Sequence, residues 1–398
     1  MTVTASKSAD PQEGANRRVY TVAGCYFVAS FAALGLPPYF TAMLPELGDP
    51  TARWAGLLYV VPTVFGGLGA PLWGRLADRF GRKKLLLRAQ LGLAVAFLLA
   101  GLADSIPVFT AALVLQGVLG GTFAASNGYL GAALRGPALT RALTLLQLSA
   151  RAALVFAPIV VGLLSVWLSP HRQYIVLALL PLSAALLLLW LPEPEASEDS
   201  GKKNGTDGAA PDPRPLRALF ALEFTVVFAT VISFPYLVAL VGARLPDLPA
   251  AVAGLLFALP HLVYLLTAMS LQRRLRTGPL PPVIVGFACL AVGLAAHWVT
   301  DSLFGFVVAR LILGIGLTLC LLGRNMLASD CATGRAPGGM FGSLEFFAKA
   351  GAVAAGVAAT AVNLRYGPAA PALVGGLAAV AALMVALTVE VRQRLSPT

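Results

Sequence analysis

Long apolar runs alternate with short polar segments along almost the whole chain. A helix needs about 20 consecutive apolar residues to cross a bilayer, and twelve runs approach or exceed that length. They occupy residues 19–43, 54–73, 85–103, 107–133, 141–168, 173–191, 218–241, 250–271, 282–300, 303–323, 340–362 and 369–389. The boundary between the ninth and tenth runs depends on the polar turn Thr300-Asp301-Ser302. The pattern predicts an all-α integral membrane protein with twelve transmembrane helices and both termini on one side.

The composition agrees with this pattern. Of the 398 residues, 58% are hydrophobic and 12% are charged, and the mean hydropathy is +0.80. Soluble domains contain about 45–50% apolar and about 25% charged residues, so a soluble globular fold is excluded. The alternating apolar and polar strands of a transmembrane β-barrel would also keep the hydrophobic share lower.

The distribution of Lys and Arg between the loops predicts the orientation. Of the 29 Lys and Arg residues, 22 lie in the tails and loops on the side of the termini. The loops on the other side hold only Arg53, Arg172, Arg244 and Arg365. Because cytoplasmic loops carry the excess of positive charge, we expect both termini in the cytoplasm. Loop orientation then accounts for the net charge of +11, and no nucleic-acid partner is needed to explain it.

The chain divides into two halves around a polar linker, which is rich in Gly, Pro and mixed charges and too polar to order itself by burial. The halves repeat each other: AGLLYVVP at 55–62 recurs as AGLLFALP at 253–260, and Pro38-Tyr39 recurs as Pro235-Tyr236. We therefore predict five regions. They are a cytoplasmic N-tail at 1–18, a six-helix bundle at 19–191, a cytoplasmic linker at 192–217, a second six-helix bundle at 218–389 and a cytoplasmic C-tail at 390–398.

The loop between the second and third runs carries a specific motif. Residues 74–84 read GRLADRFGRKK, which closely resembles the loop motif G-x-L-a-D-R-x-G-R-K of the major facilitator superfamily. The resemblance covers residues 19–389 and implies that family's fold, two six-helix repeats joined by a cytoplasmic linker. It also implies that the loop is a latch between the two halves, although its cations could serve topology alone. The matching latch residues are Gly74, Asp78, Arg79, Gly81 and Arg82.

Few charged residues lie inside the predicted spans, where a charge at the bilayer centre costs about 2.5–3.5 kcal/mol and needs a role. Arg151 and Arg310 are candidates for binding a solute, together with the neutral Gln147, Gln116 and Asn127. A surplus of cations favours an anionic or carboxylate-bearing solute, because a guanidinium group offers two parallel donors. The alternative is that helix carbonyls satisfy both arginines, which then have a structural role.

Three further residues are candidates for proton coupling. The repeat aligns Glu345 and Lys349 of the eleventh span with Gln147 and Arg151 of the fifth, so the two halves differ by one titratable acid. A carboxylate that exchanges a cation for a proton can sense the state of a cavity. The alternative is a fixed pair of Glu345 with Lys349 within reach of the interface. Glu223 in the seventh span is the second candidate acid.

Two other motifs of the superfamily are incomplete. The fourth span resembles the R-x-x-Q-G motif of proton-coupled members but has Leu113 at the Arg position, and its repeat partner has Arg310 but no Gln. The fifth span keeps Pro158 and Gly162 of the antiporter signature without its other glycines. Both departures count against a drug/proton antiporter.

The combined pattern predicts a secondary transporter that resembles bacterial proton-coupled efflux proteins of the drug or siderophore exporter type. We expect export of a small organic solute, with anions favoured, in exchange for protons by alternating access, and a monomer in the bacterial inner membrane. Proton-coupled uptake of an organic anion is the alternative. An integral-membrane enzyme is a remote alternative, because the three His residues are dispersed and no catalytic constellation is readable. The four Cys residues lack metal-ligand spacing, and we expect no metal, cofactor or disulfide.

Overall fold

A computed structural model of the chain describes residues 11–134, 136–193, 214–275, 278–332 and 337–395. Within these residues ten helical segments are long and apolar enough to cross a membrane, and two shorter apolar helices, Ala55–Gly69 and Ile106–Leu119, raise the number to the predicted twelve. The all-α membrane fold is thus confirmed. The spans are α1 (Pro11–Gly35), α2 (Ala55–Phe80), α3 (Arg82–Leu102), α4 in two parts, α4a (Ile106–Leu119) and α4b (Thr122–Ala133), α5 (Gly136–Leu164), α6 (Pro170–Leu177 and Leu179–Leu189), α7 (Arg214–Val231 and Leu237–Arg244), α8 (Ala250–Arg274), α9 (Leu280–Val299), α10 (Leu303–Ala332), α11 (Pro337–Tyr366) and α12 (Ala370–Leu395).

The predicted boundaries hold at some helix ends and move at others. The division of the ninth and tenth spans is as predicted, since α9 ends at Val299 and α10 begins at Leu303. The tenth helix then continues to Ala332, well beyond residue 323. The third and seventh helices begin earlier than predicted, at Arg82 and Arg214. Polar helix ends project beyond the apolar runs, so hydropathy alone places these ends too far inside.

Exposed aromatic residues mark the two ends of the bundle. We call the end that carries Arg214 the linker face and the other end the opposite face. Tyr20 and Trp190 are exposed near the linker face, and Trp167 and Tyr366 are exposed near the opposite face. Trp and Tyr concentrate at both membrane–water interfaces, so these side chains indicate where the bilayer ends.

Glycines bring the first six and the last six helices together at the opposite face. A Cβ atom on Gly162 of α5 would lie 2.7 Å from the carbonyl oxygen of Ala250 at the start of α8. A Cβ atom on Gly356 of α11 would lie 2.7 Å from the carbonyl oxygen of Gly56 in α2. Small residues allow such close helix crossings in membranes. The crossings of α5 with α8 and of α2 with α11 therefore seal the opposite face.

Two tyrosines in related positions of the sequence repeat reinforce this seal. The buried hydroxyl of Tyr39 lies 2.6 Å from the carbonyl oxygen of Pro158 and 3.2 Å from that of Ala250. The hydroxyl of Tyr236 accepts a hydrogen bond from the N–H of Gly56 at 3.2 Å. Each hydroxyl therefore connects the first six helices with the last six.

Candidate substrate cavity

A cavity of about 880 Å³ lies between α1, α2, α3, α4 and α11. It extends from Phe40, toward the opposite face, to Arg82 and Gly128 at the linker face. Because the opposite face is sealed, the cavity is accessible from the linker face. Most of its wall is apolar, and its aromatic residues are Tyr26, Phe40, Tyr59, Trp73, Tyr174 and Phe346.

One wall of the cavity is a broken helix. The first part of α4 ends at Leu119, and two glycines separate it from α4b, so the last carbonyl groups of α4a lack helical partners. The indole N–H of Trp73 donates to the carbonyl of Val118 at 2.6 Å, and Nη1 of Arg88 donates to that of Leu119 at 2.6 Å. Non-helical backbone at membrane depth is tolerated where such groups satisfy it. The two adjacent glycines were the sequence signal for this break, which an uninterrupted span at 107–133 had missed.

Arg151 lies in the middle of α5 and faces α8. Its Nη1 atom is 3.4 Å from Nδ1 of His261, and its guanidinium carbon is 5.3 Å from the centre of the Tyr264 ring. Glu223 and Arg324 lie within electrostatic reach of Arg151. No carboxylate in the described part of the chain forms an ion pair with it. Arg151 is therefore a half-buried cation without a direct anionic partner, between the first and the last six helices.

The acid on α11 lines the cavity. Glu345 and Lys349 form an ion pair at 3.7 Å, and their side chains are 47% and 39% exposed. Both line the cavity, so water and a solute can reach them. Tyr26 of α1 lies within electrostatic reach of Glu345 and of Arg151. Glu345 in the cavity and Arg151 in α5 thus both act electrostatically on Tyr26.

Glu223, the second candidate acid, is buried in an ion pair and does not line the cavity. Nη1 of Arg324 lies 3.0 Å from each of its two carboxylate oxygens, and the Glu223 side chain is 6% exposed. Arg324 follows the predicted tenth span directly, and only the longer α10 shows that it is a helix residue. A hydropathy window could not detect this pair, because it joins residues 101 positions apart.

Arg310 is fully buried against α8 and does not line the cavity. Pro260 has no N–H, which leaves the carbonyl of Leu256 without its usual helical donor. Nε of Arg310 donates to that carbonyl at 2.8 Å, and Nη2 donates to the carbonyl of Phe257 at 2.8 Å. The arginine therefore replaces a hydrogen bond that the proline removes from α8.

The neutral polar candidates are dispersed. Gln116 of α4a lines the cavity beside the helix break. Gln147 is exposed on α5 and does not line the cavity. The side chain of Asn127 lies outside the described residues. The cavity thus brings Gln116 together with the ion pair of α11, but not with Gln147.

The family model that matches this chain is the Major Facilitator Superfamily, over residues 22–273. This match covers more than half of the 398 residues. The chain belongs to the major facilitator superfamily. It is a multi-pass membrane transporter and not an enzyme.

Named relatives of this transporter occur in several bacteria. It is 26% identical over 363 residues to the multidrug resistance protein MdtG of Citrobacter koseri, covering 88% of this chain and 89% of that protein. It is also 26% identical over 355 residues to MdtG of Serratia proteamaculans, covering 86% of each. The names of both relatives agree with the predicted drug-exporter type, and neither name mentions a siderophore.

Solved structures share the fold of this transporter. A POT family transporter in complex with 5-aminolevulinic acid has a TM-score of 0.77 at 12% identity, covering 94% of this chain and 96% of that one. The nucleoside transporter NupG has a TM-score of 0.73 at 13% identity, covering 93% and 99%. At these identities the likeness shows the fold alone.

In this transporter the start of α3 is held by an acid that the sequence analysis placed in the linker. Gly81 has a φ of 100°, a conformation that favours glycine and allows α3 to follow α2 directly. Glu193 accepts hydrogen bonds from the backbone N–H groups of Arg82 at 2.5 Å and Lys83 at 3.0 Å. A carboxylate is stabilised at a helix N-terminus. Nη1 of Arg82 also donates to the carbonyl of Gly128 at 2.8 Å.

These contacts join the motif loop to α4b and to the segment that directly follows α6. Arg79 is exposed at the end of α2. The side chains of Gly74 and Asp78 lie outside the described residues, so the latch itself stays a prediction.

The histidines of the transporter are separately engaged. Nε2 of His171 lies 2.9 Å from the carbonyl oxygen of Ala100, and Nδ1 of His297 lies 2.6 Å from that of Gly293. Across the described ranges no group of three or more His, Cys, Asp or Glu residues is placed to hold a metal ion.

Proposed function

We propose that this transporter exports small organic solutes, with amphiphilic anions preferred, from the bacterial cytoplasm in exchange for protons. The names of the MdtG relatives support efflux, and their coverage of most of the chain supports a shared overall mechanism. The observation that carries the proposal is the cavity, which is sealed at one face and accessible at the other.

The proposed orientation places the linker face in the cytoplasm of a bacterial inner membrane. The excess of Lys and Arg in the loops of that face supports this orientation. In this arrangement the cavity is open to the cytoplasm, where an exporter collects its solute. The proposed cycle opens the opposite face by movement of the two six-helix bundles, residues 19–191 and 218–389, relative to each other.

The size and lining of the cavity support a drug-sized solute with an apolar body. Ligand pockets measure about 300–1,000 Å³ and are mostly apolar with a few placed polar groups. The cavity of about 880 Å³ has an aromatic wall together with Arg88 and the α11 ion pair. Arg151 does not line the cavity, but it lies within electrostatic reach of Tyr26 in the cavity wall and forms no ion pair in the described part of the chain, which supports anion preference.

We assign proton coupling to Glu345. Its partial exposure in the cavity and its pairing with Lys349 allow the carboxylate to exchange the cation for a proton when solute binds. Glu223 is less suited to this role, because its pair with Arg324 is buried away from the cavity. Asp78 and the motif loop are proposed to close the linker face when the opposite face opens.

Solute flux into everted membrane vesicles tests this function. Their outer surface is the cytoplasmic face, and respiration acidifies their lumen. We expect the vesicles to accumulate aromatic carboxylates and sulfonates and to lose them when an ionophore collapses the pH gradient. Vesicles without the transporter provide the control. Accumulation only in right-side-out vesicles would show uptake and overturn the proposed direction.

A further inference from the structure

We propose that Arg88, stacked on Trp73 beside the break in α4, is the subsite that binds the carboxylate of an organic anion in the cavity. The inference rests on the proposed function only for the preference for anions. It depends neither on the direction of transport nor on proton coupling.

Close helix packing fixes the position of Arg88. A Cβ atom on Gly92, one turn later in α3, would lie 3.0 Å from the carbonyl oxygen of Leu119. This glycine lets α3 approach the end of α4a, where Nη1 of Arg88 donates to Leu119. The guanidinium carbon lies 3.4 Å from the centre of the Trp73 ring, which is itself bonded to Val118. The guanidinium group is therefore held in one orientation by a ring face and a carbonyl.

This oriented group has donors that nothing in the described chain uses. Only Nη1 of Arg88 has a hydrogen-bond partner there, and Nε is buried without one. No carboxylate among the described residues lies within ion-pair distance of Arg88. Arg88 is half-buried, and a cation that is partly withdrawn from water without an anion is costly. A ligand carboxylate at Nη2, which is neither bonded nor buried in the described part of the chain, supplies the missing charge and a charge-assisted hydrogen bond.

The rest of the cavity fits the same ligand. Its charged lining residues in the described part of the chain are three cations and one acid, and that acid already lies beside a cation. The cations are Arg82, Arg88 and Lys349, and the acid is Glu345. The excess of positive charge and the aromatic wall together favour an amphiphilic carboxylate, with its charge at Arg88 and its flat apolar part along the cavity.

The competing account gives Arg88 the single task of satisfying the carbonyl of Leu119. Two substitutions separate the accounts. Arg88→Gln keeps an N–H donor for that carbonyl and removes the charge, whereas Arg88→Lys keeps the charge and removes the planar fork. Lys84→Gln is the matched control, because Lys84 is an exposed cation one turn earlier in the same helix.

Binding to purified transporter in lipid nanodiscs tests the proposal with two fluorescent probes of similar shape, pyrenebutyrate and the uncharged pyrenebutanol. We expect Arg88→Gln to weaken pyrenebutyrate binding about 10- to 100-fold, the effect of losing charge-assisted hydrogen bonds, with less than about a twofold change for pyrenebutanol. Arg88→Lys should give an intermediate loss, and Lys84→Gln should bind both probes normally. Equal loss of both probes, or no loss of either, in Arg88→Gln would overturn the subsite.

The unmodified transporter provides a second measurement that is independent of how well the variants fold. Phenylglyoxal labels accessible guanidinium groups, and peptide mass spectrometry reports the labelling of Arg88. We expect pyrenebutyrate to slow this labelling and pyrenebutanol to leave it unchanged. Labelling of Arg88 at the same rate with either probe would overturn the proposal. Neither readout depends on the direction of transport. A finding of uptake instead of export would therefore contradict the proposed function without contradicting this inference.

Discussion

Replacing Tyr39 and Tyr236 together by phenylalanine is expected to open the face of the transporter opposite the linker. The Tyr39 hydroxyl, in the first six helices, lies 3.2 Å from the carbonyl oxygen of Ala250 in α8. The Tyr236 hydroxyl accepts from the N–H of Gly56 at 3.2 Å and approaches the carbonyl of Arg53 at 3.3 Å. These hydrogen bonds join elements that must separate when the opposite face opens. Phenylalanine keeps the rings and removes only the hydroxyls.

The magnitude follows from the value of a buried hydrogen bond. One such bond contributes about 0.5–1.5 kcal/mol net, because water takes its place when the groups are exposed. With about 1 kcal/mol for each tyrosine, the double variant loses about 2 kcal/mol of the free energy that favours the closed face. A change of about 2 kcal/mol alters the ratio of closed to open molecules about 30-fold.

Pulsed electron resonance between spin labels on the opposite face measures this ratio. Asp104 and Asp247 are exposed in the α3–α4 and α7–α8 loops, one in each half, and they become cysteines in a background without the four native ones. We expect a longer distance to gain population in the double tyrosine variant. Tyr129→Phe is the matched control, since that hydroxyl donates at 2.7 Å to the carbonyl of Pro192, directly after α6, and does not join the two halves.

An unchanged distance distribution in the folded double variant would refute this reasoning. A similar shift in Tyr129→Phe would refute it as well, because the loss of a tyrosine hydroxyl elsewhere would then also open the opposite face.

Three further substitutions test other parts of the account. Arg310→Met should destabilise the transporter by about 1.5–3 kcal/mol for each lost charge-assisted hydrogen bond, which a thiol-reactive dye reports as labelling at a lower temperature. Arg244→Gln, at an exposed ion pair, should cost at most about 1 kcal/mol. Equal melting temperatures of the two variants would contradict the role of Arg310. Asp78→Asn should slow transport severely at normal expression and folding, and normal flux would defeat the latch. Arg151→Gln should weaken binding of anionic solutes by about 1–3 kcal/mol and spare neutral analogues, and equal loss for both would assign Arg151 to structure.

The number and order of the helices could be predicted from hydropathy because each span must bury its own backbone in lipid. The close glycine crossing that pairs α2 with α11 also left a trace in the sequence, since Gly56 lies in the repeated AGLL segment. The break in α4 was harder to predict from the sequence, although Gly120 and Gly121 marked its position. Its energetics depend on donors from α2 and α3, which no pattern within one helix reveals.

The roles of individual cations depended on tertiary contacts. Arg310 and Pro260 were both visible in the sequence, yet only the packing of α10 on α8 shows that one offsets the bond lost at the other. In the sequence Arg88 is one of several basic residues near the start of the third span, and the orientation of the loops in the membrane was sufficient to explain their positive charge. Only the packing of α3 against the end of α4a, where Arg88 donates to Leu119, shows that Arg88 is a residue of the cavity.

The sign of the pH change inside proteoliposomes tests the central claim, exchange of solute for protons, most directly. Liposomes loaded with an aryl sulfonate, which does not cross as a neutral acid, contain a trapped pH dye, and potassium with valinomycin holds the membrane potential at zero. As the sulfonate leaves through the transporter, the account predicts that the lumen becomes acidic, whichever way the protein is inserted. Glu345→Gln should abolish this acidification while solute still exchanges at equal pH. A lumen that becomes alkaline would show symport and contradict the account, and full acidification in Glu345→Gln would exclude Glu345 as the coupling residue.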